Sequence, residues 1–145
     1  VLFICHGNIC RSPMAEFVFK DMVKRAGREQ EFYIDSAATS TEEIGNSMHH
    51  GTRSKLRQMG IPFTDHRARQ IIIDDYEDYD YLICMDRFNM SNMKRILGED
   101  TDHKMYSLLE FAGLNRDIAD PWYTGNFDET YEDVVKGCTA LLKKV

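Results

Sequence analysis

The chain has 145 residues, 43% of them hydrophobic, with 18 Lys and Arg against 24 Asp and Glu and a formal net charge of −6. That length suits one core and is too short for two ordinary domains. The acidic balance argues against broad nucleic-acid binding, which needs a concentrated basic surface. No apolar run approaches the roughly 18 residues of a membrane span, and no charged-then-apolar leader is visible.

The first element is the apolar run Val1-Leu2-Phe3-Ile4, which reads as a central parallel strand. After the loop from Cys5 to Arg11, Ser12 reads as a helix N-cap with Pro13 in the first turn. That helix runs to about Gly27, with Met14, Phe17, Val18 and Met22 on one face. Phe32-Tyr33-Ile34 reads as a second strand ending at Asp35-Ser36, and Thr39 to His50 as a polar loop. A helix from about Gly51 to Met59 stops at Gly60, with Pro62 beyond. The acidic stretch Asp74 to Tyr81 reads as a solvated loop, with modification of Tyr76, Tyr79, Tyr81 or Tyr123 left open. Tyr81 to Met85 is a third buried strand, followed by a helix near Phe88 to Leu97. Lys104-Met105-Tyr106 reads as a fourth strand and Leu108 to Pro121 as a long loop. Tyr131, Val134, Val135, Cys138, Leu141 and Leu142 mark a C-terminal helix at spacings of three and four. Such alternation predicts one α/β domain over residues 1–145, with a four-stranded parallel sheet, helices on both faces and ligands at the carboxyl ends of the strands.

Cys5 stands at such an end. Loop N–H groups and the following helix N-terminus converge there into an anion cradle that also favours a thiolate. Arg11 supplies a permanently charged fork for two phosphate oxygens. Gly7 permits close backbone approach, Asn8 tolerates a strained loop, and Ser12 can donate to a thiolate. A cysteine after an apolar strand is often only a small core residue, but strand, loop and cap here agree on phosphate chemistry. The nucleotide-binding P-loop is disfavoured, because no lysine precedes Ser12. His49-His50 lacks a further ligand cluster and reads as solvated, and the reading calls for no metal and no cofactor. Cys84 and Cys138 lie on apolar patterns and read as core.

The run Cys5-His6-Gly7-Asn8-Ile9-Cys10-Arg11-Ser12-Pro13 resembles the signature loop of the low-molecular-weight protein tyrosine phosphatases. The likeness continues through Asp35-Ser36-Ala37-Ala38-Thr39-Ser40, Glu43-Ile44-Gly45-Asn46, Gly60-Ile61-Pro62, His66-Arg67-Ala68-Arg69-Gln70, Cys84-Met85-Asp86 and Asp120-Pro121-Trp122-Tyr123. The resemblance implies Cys5 as nucleophile, Arg11 as phosphate clamp and Asp120 as general acid and then base. Asp120 sits in a loop beside aromatic residues that can partly desolvate it, although an Asp-Pro pair also starts turns; Asp117 is the fallback. Ser12 then hydrogen-bonds Cys5, while Asn8, Ser36 and His66 resemble the network that holds the cysteine loop. His6, Gly7, Asn8, Ile9, Cys10, Ser12, Glu42, Trp122 and Tyr123 are the expected substrate-binding positions.

The partners implied are a phosphotyrosine-containing protein or peptide and phosphate-like oxyanions, with no nucleic acid and no membrane span. Glu42 stands where relatives often carry an aromatic residue, so Trp122 and Tyr123 are left to form the slot wall, and Glu42 favours basic peptides by a small exposed-charge effect. Ile9 points to phosphotyrosine over phosphoarginine, since arginine-phosphate-specific relatives look to have threonine there. Cys10 lies within the loop beside the nucleophile, which suggests a reversible Cys5–Cys10 disulfide, with a plain packing role as the alternative. Placement of the four cysteines suggests free thiols in a reducing cytosol, though some relatives are exported without a visible leader. An arsenate reductase of similar fold would need a further cysteine where Ser91 stands. A phosphocysteine carrier would need no acid at Asp120.

Overall fold

The computed structural model describes residues 1–145, the whole chain. Its strands are β1 (Leu2–Cys5), β2 (Asp35–Ala38), β3 (Leu82–Cys84) and β4 (Met105–Ser107). The helices are α1 (Arg11–Arg25), α2 (His50–Gln58), α3 (Asp74–Asp78), α4 (Arg87–Leu97), α5 (Pro121–Thr124) and α6 (Phe127–Lys144). All strand pairs are parallel, in the order β2-β1-β3-β4. The expected single-domain α/β architecture is therefore the one observed.

Side-chain alternation along β1 divides the core in two. Phe3 and Cys5 join the large cluster formed with α1, α6 and the 3₁₀ segment Leu108–Ala112. Leu2 and Ile4 point to the opposite face, with Ala37, Leu82, Cys84 and residues of α3 and α4. Both faces of β1 are covered, which is why its sequence is a continuous apolar run. Its neighbours β2 and β3 lie on opposite sides, so the chain winds away in two directions. The carboxyl end of β1, where Cys5 lies, is thus the crevice in which open α/β sheets place their ligands.

Several local expectations need correction. The second strand is not Phe32-Tyr33-Ile34 but Asp35–Ala38, paired Cys5 to Ala38; Tyr33 is 74% exposed, its ring 5.9 Å from that of Tyr79. Ser12 is not the N-cap of α1. Cys10 holds that position without a side-chain cap bond, and Ser12 is the second helical residue, fully buried. The stretch Asp74 to Tyr81 is no solvated loop, since it contains α3. There Asp75 accepts from the Ile72 N–H and pairs with Arg69 while it is 4% exposed. The region Leu108 to Pro121 is partly ordered by the 3₁₀ segment, whose start carries a Ser107–Glu110 capping box. The C-terminal helix begins at Phe127, with Asn126 accepting from the Glu129 N–H.

Candidate active site

The loop between β1 and α1 folds over the Cys5 sulfur. The Asn8 N–H donates to Cys5 Sγ at 3.3 Å, and Ser12 Oγ lies 3.1 Å from the same atom. Asn8 has φ 59°, a left-handed conformation that asparagine tolerates better than most residues. Four hydrogen bonds hold it there: His66 Nε2 donates to its carbonyl at 2.7 Å, the Arg69 N–H donates to its Oδ1 at 3.2 Å, and its Nδ2 donates to both Ser12 Oγ (2.8 Å) and Ser36 Oγ (2.9 Å).

These bonds have a forced direction. The Asn8 amide is oriented by Arg69, so both its N–H donors go to the two serines. Ser36 then passes its own proton to Glu16 Oε1 at 2.6 Å, while Lys20 neutralises the other Glu16 oxygen at 2.5 Å. Ser12, having accepted from Asn8, keeps its hydroxyl proton for Cys5 Sγ. Asn8, Ser36 and His66 thus sit together around the loop, as the resemblance implies. Asn8 and Ser12 are fully buried beneath the cavity rather than lining it.

Arg11 is 2% exposed, yet its guanidinium reaches the cavity. Nη1 donates to Asp86 Oδ2 at 2.6 Å and to the Ile118 carbonyl at 2.9 Å, and Nη2 to Asp120 Oδ2 at 3.4 Å. Burial works to lower the Arg11 pKa, but Cys5, Asp86 and Asp120 more than offset it and hold the group above its usual value. Asp120 is the N-cap of α5, its Oδ1 accepting from the Trp122 N–H at 3.0 Å. Asp-Pro therefore starts a helical turn and aims a carboxylate at Arg11 at once. Asp117, the fallback, accepts from the Arg87 N–H at 3.2 Å and does not line the cavity.

The cavity, of about 110 Å³, is lined by Cys5, Cys10 and Arg11 together with Asp120, Trp122 and Tyr123; His6, Gly7, Ile9 and Glu42 also line it. His6 and Glu42 meet at 2.9 Å on the exposed rim. Cys10 is 4% exposed, and burial, then Cys5 and Asp120, pushes its thiol up to about 12. All four cysteines are free.

Sequence reasoning gave no role to Glu16, nor to Asp86 and Glu43, which it named only within the motifs of the resemblance. Asp86 follows β3 and caps α4 by accepting from the Asn89 N–H at 2.7 Å, a strand–Asp–helix pattern that was readable. Glu16 interrupts the apolar run of α1, which is itself a sign of a buried partner. Glu43 lines the cavity, and its Cγ would lie 3.3 Å from a Cβ placed on Gly7. His49-His50 is not simply solvated either, since His49 Nδ1 caps α2.

Together these features define an α/β protein with a strand-to-helix loop folded over a cysteine sulfur and a buried arginine reaching the same cavity. The family model described as low molecular weight phosphotyrosine protein phosphatase matches residues 1–145, and the chain belongs to that family. It is 41% identical to the Bacillus subtilis low molecular weight protein-tyrosine-phosphatase YfkJ, over 100% of this chain and 94% of the relative. It is 38% identical to the Homo sapiens low molecular weight phosphotyrosine protein phosphatase, over 99% and 94%. The crystal structure of YfkJ from Bacillus subtilis superposes with a TM-score of 0.95 at 40% identity, covering 99% of this chain and 91% of that one. The family expected from the motifs is the one found. No helix is long and apolar enough to cross a membrane.

Proposed function

We propose that residues 1–145 act as a single phosphatase domain that hydrolyses phosphotyrosine and other aryl phosphate monoesters through a phosphocysteine intermediate. The observation that carries this reading is the contact between Arg11 and Asp120 in the cavity that Cys5 also lines. Cys5 attacks phosphorus as a thiolate, which the Ser12 hydroxyl and the Asn8 N–H favour by hydrogen bonding. The S–P bond forms as the P–O bond to the aryl group breaks, and Asp120 gives its proton to the departing oxygen. Arg11 and the loop N–H groups hold the equatorial oxygens, with Asp86 and the Ile118 carbonyl fixing Nη1 so that Nε and Nη2 serve the phosphate. In the second step Asp120 takes a proton from water, the water oxygen bonds to phosphorus, and the thiolate leaves onto the Ser12 hydroxyl.

The substrate is a phosphotyrosine-bearing protein or peptide whose ring stands against Trp122 and Tyr123. Glu42 on the rim favours basic neighbours of the phosphotyrosine, weakly, because it is exposed. Peroxide oxidises Cys5 to a sulfenic acid with release of water. The Cys10 thiol then condenses with it, losing a second water and leaving a Cys5–Cys10 disulfide that thiols reduce. A reducing compartment such as the cytosol suits four free thiols.

The test is hydrolysis of a series of aryl phosphates and a phosphotyrosine peptide in reducing buffer. Cys5→Ser abolishes turnover, and Asp120→Ala lowers kcat by about 10²- to 10⁴-fold, most for the poorest leaving group. Equal loss for all leaving groups would remove Asp120 from the acid role.

A further inference from the structure

Trp122 forms a wall of the cavity while standing on α5, a helix of four residues, and the indole is 57% exposed. A ring so placed needs support from outside its own helix. The support is His49, whose imidazole meets the Trp122 ring edge-on, centroids 5.6 Å apart and planes at 78°.

His49 is unusually well held. Its backbone N–H donates to the Ile9 carbonyl of the cysteine loop at 2.8 Å. Its Nδ1 accepts the Gly51 N–H at 2.9 Å and so caps α2. Its ring stacks on His50 at 4.3 Å and on Phe127, the first residue of α6, at 5.2 Å. Phe127 in turn lies where a Cβ on Gly51 would be, so ring and helix are in close contact. The His49 ring thus ties α2 and α6 to the Trp122 wall, while its backbone N–H anchors the residue to the cysteine loop.

We propose that His49, as a neutral imidazole, is a positioning residue that fixes Trp122 and thereby sets the preference of the cavity for aromatic phosphate esters. The kinetic half of this inference rests on the phosphatase reading above; the positioning half does not. An accepting Nδ1 requires the proton on Nε2, so protonation of the ring removes the α2 cap and turns a neutral edge contact into a charged one. The titratable and charged groups facing it are His50 and Arg53 on α2, Asp120 before α5 and Glu43 after β2, while α6 presents the Phe127 ring. Burial, then His50 and Arg53, lower the His49 pKa against the opposing pull of Asp120 and Glu43. The ring is therefore held neutral into mildly acid pH.

Trp122 is the single tryptophan of the chain, so intrinsic fluorescence reports this contact directly. Protonated imidazole quenches a touching indole. The full chain is titrated by fluorescence alongside His49→Asn, which keeps a capping acceptor but no ring, and His49→Phe, which keeps a ring but no acceptor. The expected result is a quenching step with a midpoint below about 6.5 that vanishes in both variants. His49→Asn raises KM for a phosphotyrosine peptide about two- to tenfold, as loss of one edge-to-face contact predicts, with inhibition by inorganic phosphate unchanged, and His49→Phe restores KM. A fluorescence step that survives in His49→Asn, or equal KM in the two variants, overturns the proposal. Absent turnover by the unmutated chain would sink the phosphatase reading instead, leaving the fluorescence result to decide the positioning role.

Discussion

The Glu16 carboxylate accepts the Ser36 hydroxyl at 2.6 Å although Glu16 is only 4% exposed. A buried carboxylate is costly unless fully paired, and Lys20 and Ser36 supply the partners. Its effect reaches four bonds away: Ser36, committed as a donor to Glu16, is left to accept from Asn8, which reinforces the amide orientation set by the Arg69 N–H, and Ser12 turns its proton to Cys5.

Glu16→Gln breaks that order, because an amide can offer Ser36 a donor. We expect kcat to fall about tenfold with KM little changed. Iodoacetamide labelling of Cys5 at pH 6 slows in parallel, which simple loss of packing would not produce.

Arg11 depends on Asp86 in a comparable way, with side chains 3% and 15% exposed. Asp86→Ser keeps a capping oxygen for α4 but leaves the guanidinium without its nearest counter-charge. Stability should drop by about 3 kcal/mol in urea unfolding, and inorganic phosphate should bind more weakly because the fork is no longer aimed. Tighter phosphate binding would show that Asp86 competes for Arg11 rather than orienting it.

Thr39, 3% exposed at the carboxyl end of β2, has a buried hydroxyl without a hydrogen-bond partner. Thr39→Val replaces that hydroxyl with a methyl of similar shape. It should stabilise the chain by about 1 kcal/mol without altering turnover, as read by paired denaturation and activity assays.

Alkaline stability follows in part from buried thiols, Cys10 and Cys84 and also Cys138, whose pKa burial likewise raises. Cys10 and Cys84 are pushed from 9.0 up to about 12, mainly by burial, with Cys5 acting on Cys10 and Asp86 on Cys84. The unfolded chain gives up these protons near pH 9 while the folded one retains them. Their contribution is therefore intact below pH 9 and is lost as pH rises toward 12. The urea midpoint should fall across that window, and Cys84→Ala should flatten the fall; an unchanged slope would remove Cys84 as a source.

How much of this was legible in the sequence depended on where the determining contacts lie. The β1–loop–α1 unit was readable because apolar run, Gly7, Asn8 and Pro13 are contiguous and each has a local meaning. β2 was misplaced because Asp35-Ser36-Ala37-Ala38 has small side chains that fit between α1 and the neighbouring strand, whereas Phe32-Tyr33-Ile34 has the composition of a strand without the pairing. α3 escaped notice because an acidic stretch reads as solvated, whereas Asp75 is buried against Arg69 and the Ile72 N–H. Asp86, Glu16 and the bridging role of His49 act through partners tens of residues away, which spacing alone does not reveal.

The most direct test of the account is a rapid acid quench of the chain turning over an aryl phosphate, followed by mass spectrometry of its peptides. One phosphoryl group on the Cys5 peptide, present during turnover and lost when substrate is exhausted, is the predicted result. Undiminished turnover by Cys5→Ser, or a phosphoryl group on any other residue, would contradict it.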